Sequence, residues 1–220
     1  MNQTGIQNCH EQELQFFGAI SASLSHQLNN VLSIINENAG LLSDMLAAAE
    51  QGFPLDAAKI DRSTQRIAKQ VNRGASYISR MNQFAHSVDE TEQTVDLNLM
   101  LAQIVSLCQR FASLRKVSLV IEDSAPTAAK VLGCSFQQQH LVYLCIDLAL
   151  ASSDQESTIQ LSLAVTENRP QLSVQWPGSA AAQAGINEKV TALRQMAQQS
   201  GGDIEATLDA GQAMSLTLTF

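Results

Sequence analysis

The chain has 220 residues, 45% of them hydrophobic and 15% charged, with a formal net charge of −8. That composition suits a folded protein with a sizeable core and excludes intrinsic disorder. Residues 1–88 hold six Lys/Arg against seven Asp/Glu, whereas residues 89–220 hold seven against fourteen. An acidic C-terminal half argues against nucleic-acid binding, because backbone phosphates require Lys/Arg neutralisation.

From Phe17, a seam recurs at alternating steps of four and three: Phe17, Ser21, Leu24, Leu28, Val31, Ile35, Asn38, Leu42 and Met45. Seven of these nine positions are apolar, a sustained heptad that predicts one long helix. Gln51-Gly52-Phe53-Pro54 ends it. A second seam follows through Ile60, Thr64, Ile67, Val71, Gly74, Ile78, Met81 and Ala85. Two long helices joined by a short loop form an antiparallel hairpin. Alone, the pair leaves half of each seam exposed, so a homodimeric four-helix bundle is expected. Asn38 at a seam position is a candidate for fixing register.

Residues 87–94 are polar and acidic and read as a linker, dividing a 1–88 hairpin domain from an 89–220 domain. Asp96 caps a predicted helix to about Leu114, and Lys116–Glu122 alternates like a strand. Ser135 and Gln138 form a capping-box pattern before a helix to about Ala151. Ser157–Thr166 and Gln171–Trp176 read as strands joined by a turn containing Asn168-Arg169-Pro170. A helix from about Asn187 to Gln199 ends at Gly201-Gly202. Asp203–Leu208 and Met214–Phe220 close the domain as a hairpin. Helices on one side of a mixed sheet make an α+β sandwich.

Cys9, Cys108, Cys134 and Cys145 have no ligand-like spacing, so the expectation is core or inert thiols and no metal site. No secretory segment and no 18-residue apolar run is evident, which predicts a reduced, cytoplasmic protein without membrane contact.

His26 falls between seam positions Leu24 and Leu28, so its imidazole leaves the bundle sideways. Asn29 and Asn30 are its neighbours one turn on. Neutral imidazole is a competent nucleophile near neutral pH, and a phosphorylated histidine nitrogen is transferable, which suits a relay better than a hydrolase. His10 in a tail, His86 at a helix end and His140 on an apolar helix read as structural. Trp176 and Tyr143 read as core residues.

The stretch Ser25-His26-Gln27-Leu28-Asn29-Asn30, inside a helical hairpin followed by this α+β pattern, resembles the dimerisation and phosphotransfer domain of sensor histidine kinases. The resemblance continues at Val95-Asp96-Leu97-Asn98, where the family reads VDLN. It continues again at Gln198-Gln199-Ser200-Gly201-Gly202-Asp203-Ile204-Glu205, where the family reads HGGxIE. It implies that residues 89–220 adopt the fold of the kinase ATP-binding domain and that His26 is the phosphoacceptor.

The departures from the family narrow the function. The acid that follows the phosphoacceptor in active kinases is replaced by Gln27, which cannot accept a proton. The helix that carries two magnesium- and phosphate-binding asparagines in the family, here Gln139–Leu148, has none; Asp147 can stand at the second place. Val174-Gln175-Trp176-Pro177-Gly178 replaces the DxGxG loop, with Trp176 at the adenine-binding Asp. The glycine-rich loop shortens to residues 179–185, and no Lys or Arg lies between Arg169 and Lys189. These losses argue against ATP-Mg binding and autophosphorylation, since phosphoryl chemistry depends on positioning and charge compensation.

The chain therefore resembles a standalone dimeric histidine phosphotransferase built on a degenerate kinase fold. Its starting Met, with no sensor ahead of the hairpin, fits that expectation. Such a protein shuttles phosphoryl groups between receiver-domain aspartates through His26. It needs no cofactor of its own, because the receiver supplies magnesium. A basic stripe of Lys59, Arg62, Arg66, Lys69, Arg73 and Arg80 on the second helix is a candidate docking surface for an acidic receiver, with Arg62, Arg66, Lys69 and Arg73 at its centre. The alternatives are a receiver phosphatase in which Asn30 orients water, and a dimeric adaptor without chemistry. An ATP-dependent kinase is the weakest reading.

Overall fold

A computed structural model describes residues 3–89, 92–122, 129–178, 186–208 and 214–220, with side chains from His10 onward in the first helix. The chain divides into two compact units, one formed by Ala19–Ala85 and the other by Met1–Gly18 together with His86–Phe220.

The first unit is a helical hairpin. Helix α1 spans Gln3–Glu50 and α2 spans Ala57–His86, so His10 lies on a helix rather than in a tail. The turn between them is closed by backbone bonds from Gln51, Gly52 and Phe53 to Ala48 and Ala49. Asp56 then caps α2, its Oδ1 accepting from the amides of Ala58 and Lys59 at 3.1 Å each. Along α1 the predicted seam from Ser21 to Met45 is the inward stripe, with Leu24, Val31 and Asn38 fully buried.

Helix α2 is rotated from its expected phase. Ile60, Ile67, Gly74 and Met81 do face inward, but their partners are Ser63, Gln70, Tyr77 and Phe84 rather than Thr64, Val71, Ile78 and Ala85. Both sets satisfy a heptad with the shared positions. The choice is made at Gly74, where a Cβ would stand 3.3 Å from Val31 Cγ1. Close approach at that glycine turns the large aromatics Tyr77 and Phe84 into the interface and leaves Val71 and Ile78 about half exposed.

In the second unit, a two-stranded sheet pairs β1 (Gln93–Asp96) antiparallel with β3 (Lys130–Gly133). Neither strand was expected, since four-residue strands carry little periodic signal. A five-stranded mixed sheet runs in the order β2-β4-β5-β7-β6. Its strands are β2 (Ser118–Ile121), β4 (Thr158–Thr166), β5 (Arg169–Trp176), β6 (Asp203–Leu208) and β7 (Met214–Thr219). Only β2 and β4 are parallel. Burial alternates along β4, β5 and β7, as in a sheet with one covered face.

Helices α3 (Leu97–Leu114), α4 (Ser135–Ser152) and α5 (Ile186–Gln199) form the second layer. Asp96 caps α3 as expected, accepting from the amides of Asn98 and Leu99. By length and composition α3 could cross a membrane, with a mean hydropathy of 1.2. One face of it is core, through Leu97, Leu101, Ile104, Leu107, Cys108 and Ala112, whereas Leu99 and Leu114 are exposed. The expected capping box at Ser135 is absent. Cys134 is the N-cap without a side-chain bond, and Ser135 Oγ accepts from Gln139 Nε2 at 3.1 Å. The β4–β5 turn is tighter than expected. Glu167 and Asn168 both have positive φ, 53° and 65°, the two-residue turn that suits strand twist. Arg169 and Pro170 thus belong to β5. At the end of α5, Gly201 takes φ 81° and the Gly202 amide donates to Ala197 O at 2.9 Å, closing the helix as expected. On the outer side of β6, Arg194 Nε donates to Ile204 O at 2.7 Å.

Helix α4 is buried on nearly every side, which matches an apolar helix between two neighbours and a sheet. Phe16, not the seam residue Phe17, is the buried aromatic at the start of α1. It stacks on His140 at 5.0 Å between ring centroids and meets Tyr143 at 4.8 Å and Phe136 at 5.4 Å. His140 Nε2 has no hydrogen-bond partner among the described residues, and burial lowers its pKa from 6.5 to about 4. Cys108 and Cys145 are buried free thiols. Burial pushes Cys145 up to about 12 and raises Cys108 well above its ordinary range, so both are inert as expected.

Two outcomes follow from this packing. Between pH 6.5 and 4 the unfolded chain carries a proton on His140 that the folded chain does not. Stability should therefore fall as pH is lowered through that window, by up to about 3 kcal/mol. Denaturant melts across this range should show the loss in the parent protein and a flatter profile in His140→Leu. Gly74→Leu should force α1 and α2 apart and cost about 1–3 kcal/mol in the same melts.

Candidate functional site around His26

His26 projects from the exposed side of α1, one turn after the buried Ser23 and Leu24. The Asn30 amide lies 3.2 Å from His26 Nδ1. An amide offers a donor on one side and an acceptor on the other, and a half-turn about its bond exchanges them without changing shape. With Nδ2 toward the ring, Nδ1 accepts and Nε2 carries the proton. With Oδ1 toward the ring, Nδ1–H donates and the lone pair sits on Nε2, pointing to solvent. Gln27, adjacent in sequence, turns away: its Nε2 donates to Ser23 Oγ at 3.5 Å. Neither its chemistry nor its direction lets it act as a base toward His26.

Asn30 and Gln27 form one wall of a notch of about 350 Å³ between the two helices. Val31, Ser33 and Ile34 complete the α1 side, and Gln70, Arg73 and Tyr77 supply the α2 side. Tyr77 is 5% exposed. Its hydroxyl accepts from Arg73 Nε at 2.8 Å. The guanidinium carbons of Arg73 and Arg80 lie 5.6 and 5.7 Å from the centre of its ring, within cation–π range. Tyr77 was not singled out from the sequence. The alternative heptad phase 63-70-77-84, which carries both large aromatics of α2, was the signal that could have found it.

The structure brings together only part of the basic stripe. Lys59, Arg62, Arg66, Lys69 and Arg73 are exposed on α2 and Arg80 is half-buried. Lys59 pairs with Asp56 at 3.8 Å. Arg73 adjoins the notch, whereas Arg62, Arg66 and Lys69 lie further along the helix and are not among its lining residues. Asn38 is buried, and its Nδ2 donates to Ile34 O at 2.7 Å. Its Oδ1 has no partner among the described residues.

In the second unit, Trp176 is 2% exposed and is a core residue. Tyr143 joins the aromatic cluster, with burial first and the charge of Asp147 second pushing its phenol up to about 12. Asp147 is half exposed and lies 3.9 Å from Arg115. Gly178 pairs with Ser153 through a single bridge, and a Cβ there would collide with Met214. The shortened loop at 179–185 lies outside the described residues. Among the described residues no cluster of three or more His, Cys, Asp or Glu is arranged to hold a metal.

No protein-family model matches the chain. It is 28% identical over 99 residues to the sensor kinase CckA of Brucella abortus (strain 2308), a match spanning 45% of this chain and 10% of CckA. Among solved structures, full-length ShkA in complex with AMPPNP superposes with a TM-score of 0.50 at 16% identity, covering 87% of this chain and 45% of that one. The nucleotide-free catalytic domain of histidine kinase ThkA superposes with a TM-score of 0.50 at 11% identity, covering 60% and 97%. The chain thus has the fold of the histidine kinases, a helical hairpin followed by an α/β domain of the kinase catalytic type, as the resemblance in its sequence implied.

Proposed function

We propose that the protein is a histidine phosphotransferase of two-component signalling, receiving a phosphoryl group on His26 from a receiver-domain aspartyl phosphate and returning it to another. The observation that carries this reading is an exposed imidazole with a side-chain amide 3.2 Å from its Nδ1. With Asn30 Oδ1 accepting Nδ1–H, the Nε2 lone pair attacks phosphorus. The N–P bond forms, the P–O bond to the receiver carboxylate breaks, and that carboxylate leaves. The ring keeps its Nδ1 proton, and the positive charge it gains is shared with the amide oxygen. No proton has to leave the ring in this step, and Asn30 rather than Gln27 holds Nδ1–H, so the reaction does not depend on an acid–base group at Gln27.

The second unit supports transfer without ATP. Helix α4 has no asparagine, and Trp176, at the place of the adenine-binding carboxylate, is committed to the core. The partner receiver brings its own magnesium, and the exposed Arg62, Arg66, Lys69 and Arg73 provide a surface of opposite sign for its acidic pocket. The functional form is a homodimer. On the hairpin, Leu32, Leu46 and Val71 are each more than half exposed, with Ile78 close behind. A second copy laid along that apolar face would complete a four-helix bundle.

The same geometry favours a second reading. Asn30 is exposed next to His26 and could orient a water toward a receiver acyl phosphate, giving a phosphatase. A docking adaptor without chemistry is the third.

Incubation with a labelled phospho-receiver separates them. Phosphotransfer predicts that His26→Ala abolishes label on this protein, whereas Asn30→Ala retains it at a reduced rate. Accelerated receiver dephosphorylation without label on His26 would select the phosphatase, and no effect on the receiver would select the adaptor. Val71→Glu combined with Ile78→Glu should convert the dimer to monomer in sedimentation velocity while the second unit stays folded.

A further inference from the structure

Arg73 and Arg80 are unusual cations. Neither has a carboxylate partner among the described residues, yet both are held in place by one buried tyrosine. Free arginine side chains on a helix surface lose rotamer entropy when ordered, so ordering them without a counter-ion points to a ligand that arrives later. Tyr77 supplies the order twice, through its hydroxyl on Arg73 Nε and through its ring under both guanidiniums. With Nε occupied, the terminal N–H donors of Arg73 remain to be satisfied, in a fork that matches phosphate oxygens.

Position along the bundle ties this group to the histidine. Gly74 meets Val31. In an antiparallel pair of equal rise, Tyr77 then falls opposite about Leu28 and Arg80 opposite about Ser25, the two residues that bracket His26. Arg73 shares the notch with Asn30, which contacts the imidazole.

We infer that Tyr77, Arg73 and Arg80 form an anion clamp for the phosphoryl group in flight at His26, with Tyr77 as the positioning residue and Arg73 as the principal donor. The inference rests on the phosphotransfer reading and names a site within it. The three equatorial oxygens of the transferring group lie off the line joining the attacking and leaving atoms, so a guanidinium can hold them in either direction of transfer. The clamp acts on the phosphoryl group itself and not on the receiver's surface.

Phosphoramidate, a small donor with no docking surface, tests that distinction. Attack by His26 Nε2 forms the N–P bond, breaks the donor P–N bond and releases ammonia. Arg73→Gln should slow this labelling about 10- to 100-fold, in the range of a lost transition-state donor. Tyr77→Phe, which keeps the ring and removes the hydroxyl, should slow it about 3- to 10-fold, with Arg73→Lys at or above the Gln variant's rate but below the parent's. The same variants should lower the maximal rate of transfer from a phospho-receiver while leaving the half-saturating receiver concentration within about threefold. Thermal melts identify any variant that loses the fold, and Tyr77→Phe and Arg73→Lys serve as the conservative pair.

Unchanged phosphoramidate labelling in Arg73→Gln overturns the clamp, even if receiver transfer proceeds. A rise in half-saturating receiver concentration with an unchanged maximal rate overturns it in favour of receiver docking. Failure of the parent protein to take label from any donor would instead remove the phosphotransfer reading itself.

Discussion

The contact of Gly74 with Val31 governs the rest of the hairpin. A glycine where α2 meets Val31 lets the backbones approach, and that approach selects one of two heptad phases on α2. The selected phase turns Tyr77 inward, where its hydroxyl can hold Arg73, and turns Val71 and Ile78 outward, where a second copy can cover them. The notch beside Asn30 and the exposure of Val71 and Ile78 are therefore two results of one rotation. A bulkier residue at position 74 would disturb both at once.

The second unit has a well-packed core around helix α4, whose sequence contains no asparagine. The helix's side chains are buried against α3, α5 and the sheet, and Phe16 of α1 covers His140 and Tyr143. A helix in that position is constrained in volume at nearly every residue, whether or not a ligand is ever bound. A helix packed in this way needs no asparagine to keep its place in the fold.

Much of this was legible in sequence because long heptads and capping residues are local signals. The α1 stripe from Ser21 to Met45, the Asp96 cap and the glycine stop after α5 were each specified by a few residues. The misses share a cause. Phe17 was favoured over Phe16, and Val71 over Gln70, because adjacent residues on a helix are equally periodic and only tertiary contact separates them. The Ser135 capping box failed because Ser135 is already inside the helix, where its hydroxyl accepts from Gln139. The strands β1 and β3 were too short to show alternation. At the site, the exposure of His26 and its pairing with Asn30 were legible. The Tyr77–Arg73 bond was not, since it depends on the rotation of α2.

The bond from Arg194 to the Ile204 carbonyl lies at the edge of the five-stranded sheet, where β6 pairs with β7 on one side and, among the described residues, with no strand on the other. An open strand edge is a template on which another chain can extend the sheet. Here one outward carbonyl is already taken, and Asp203 and Glu205 place two carboxylates on the same strand. Arg194 thus occupies one acceptor on the open edge, the kind of blocking that disfavours edge-to-edge strand pairing.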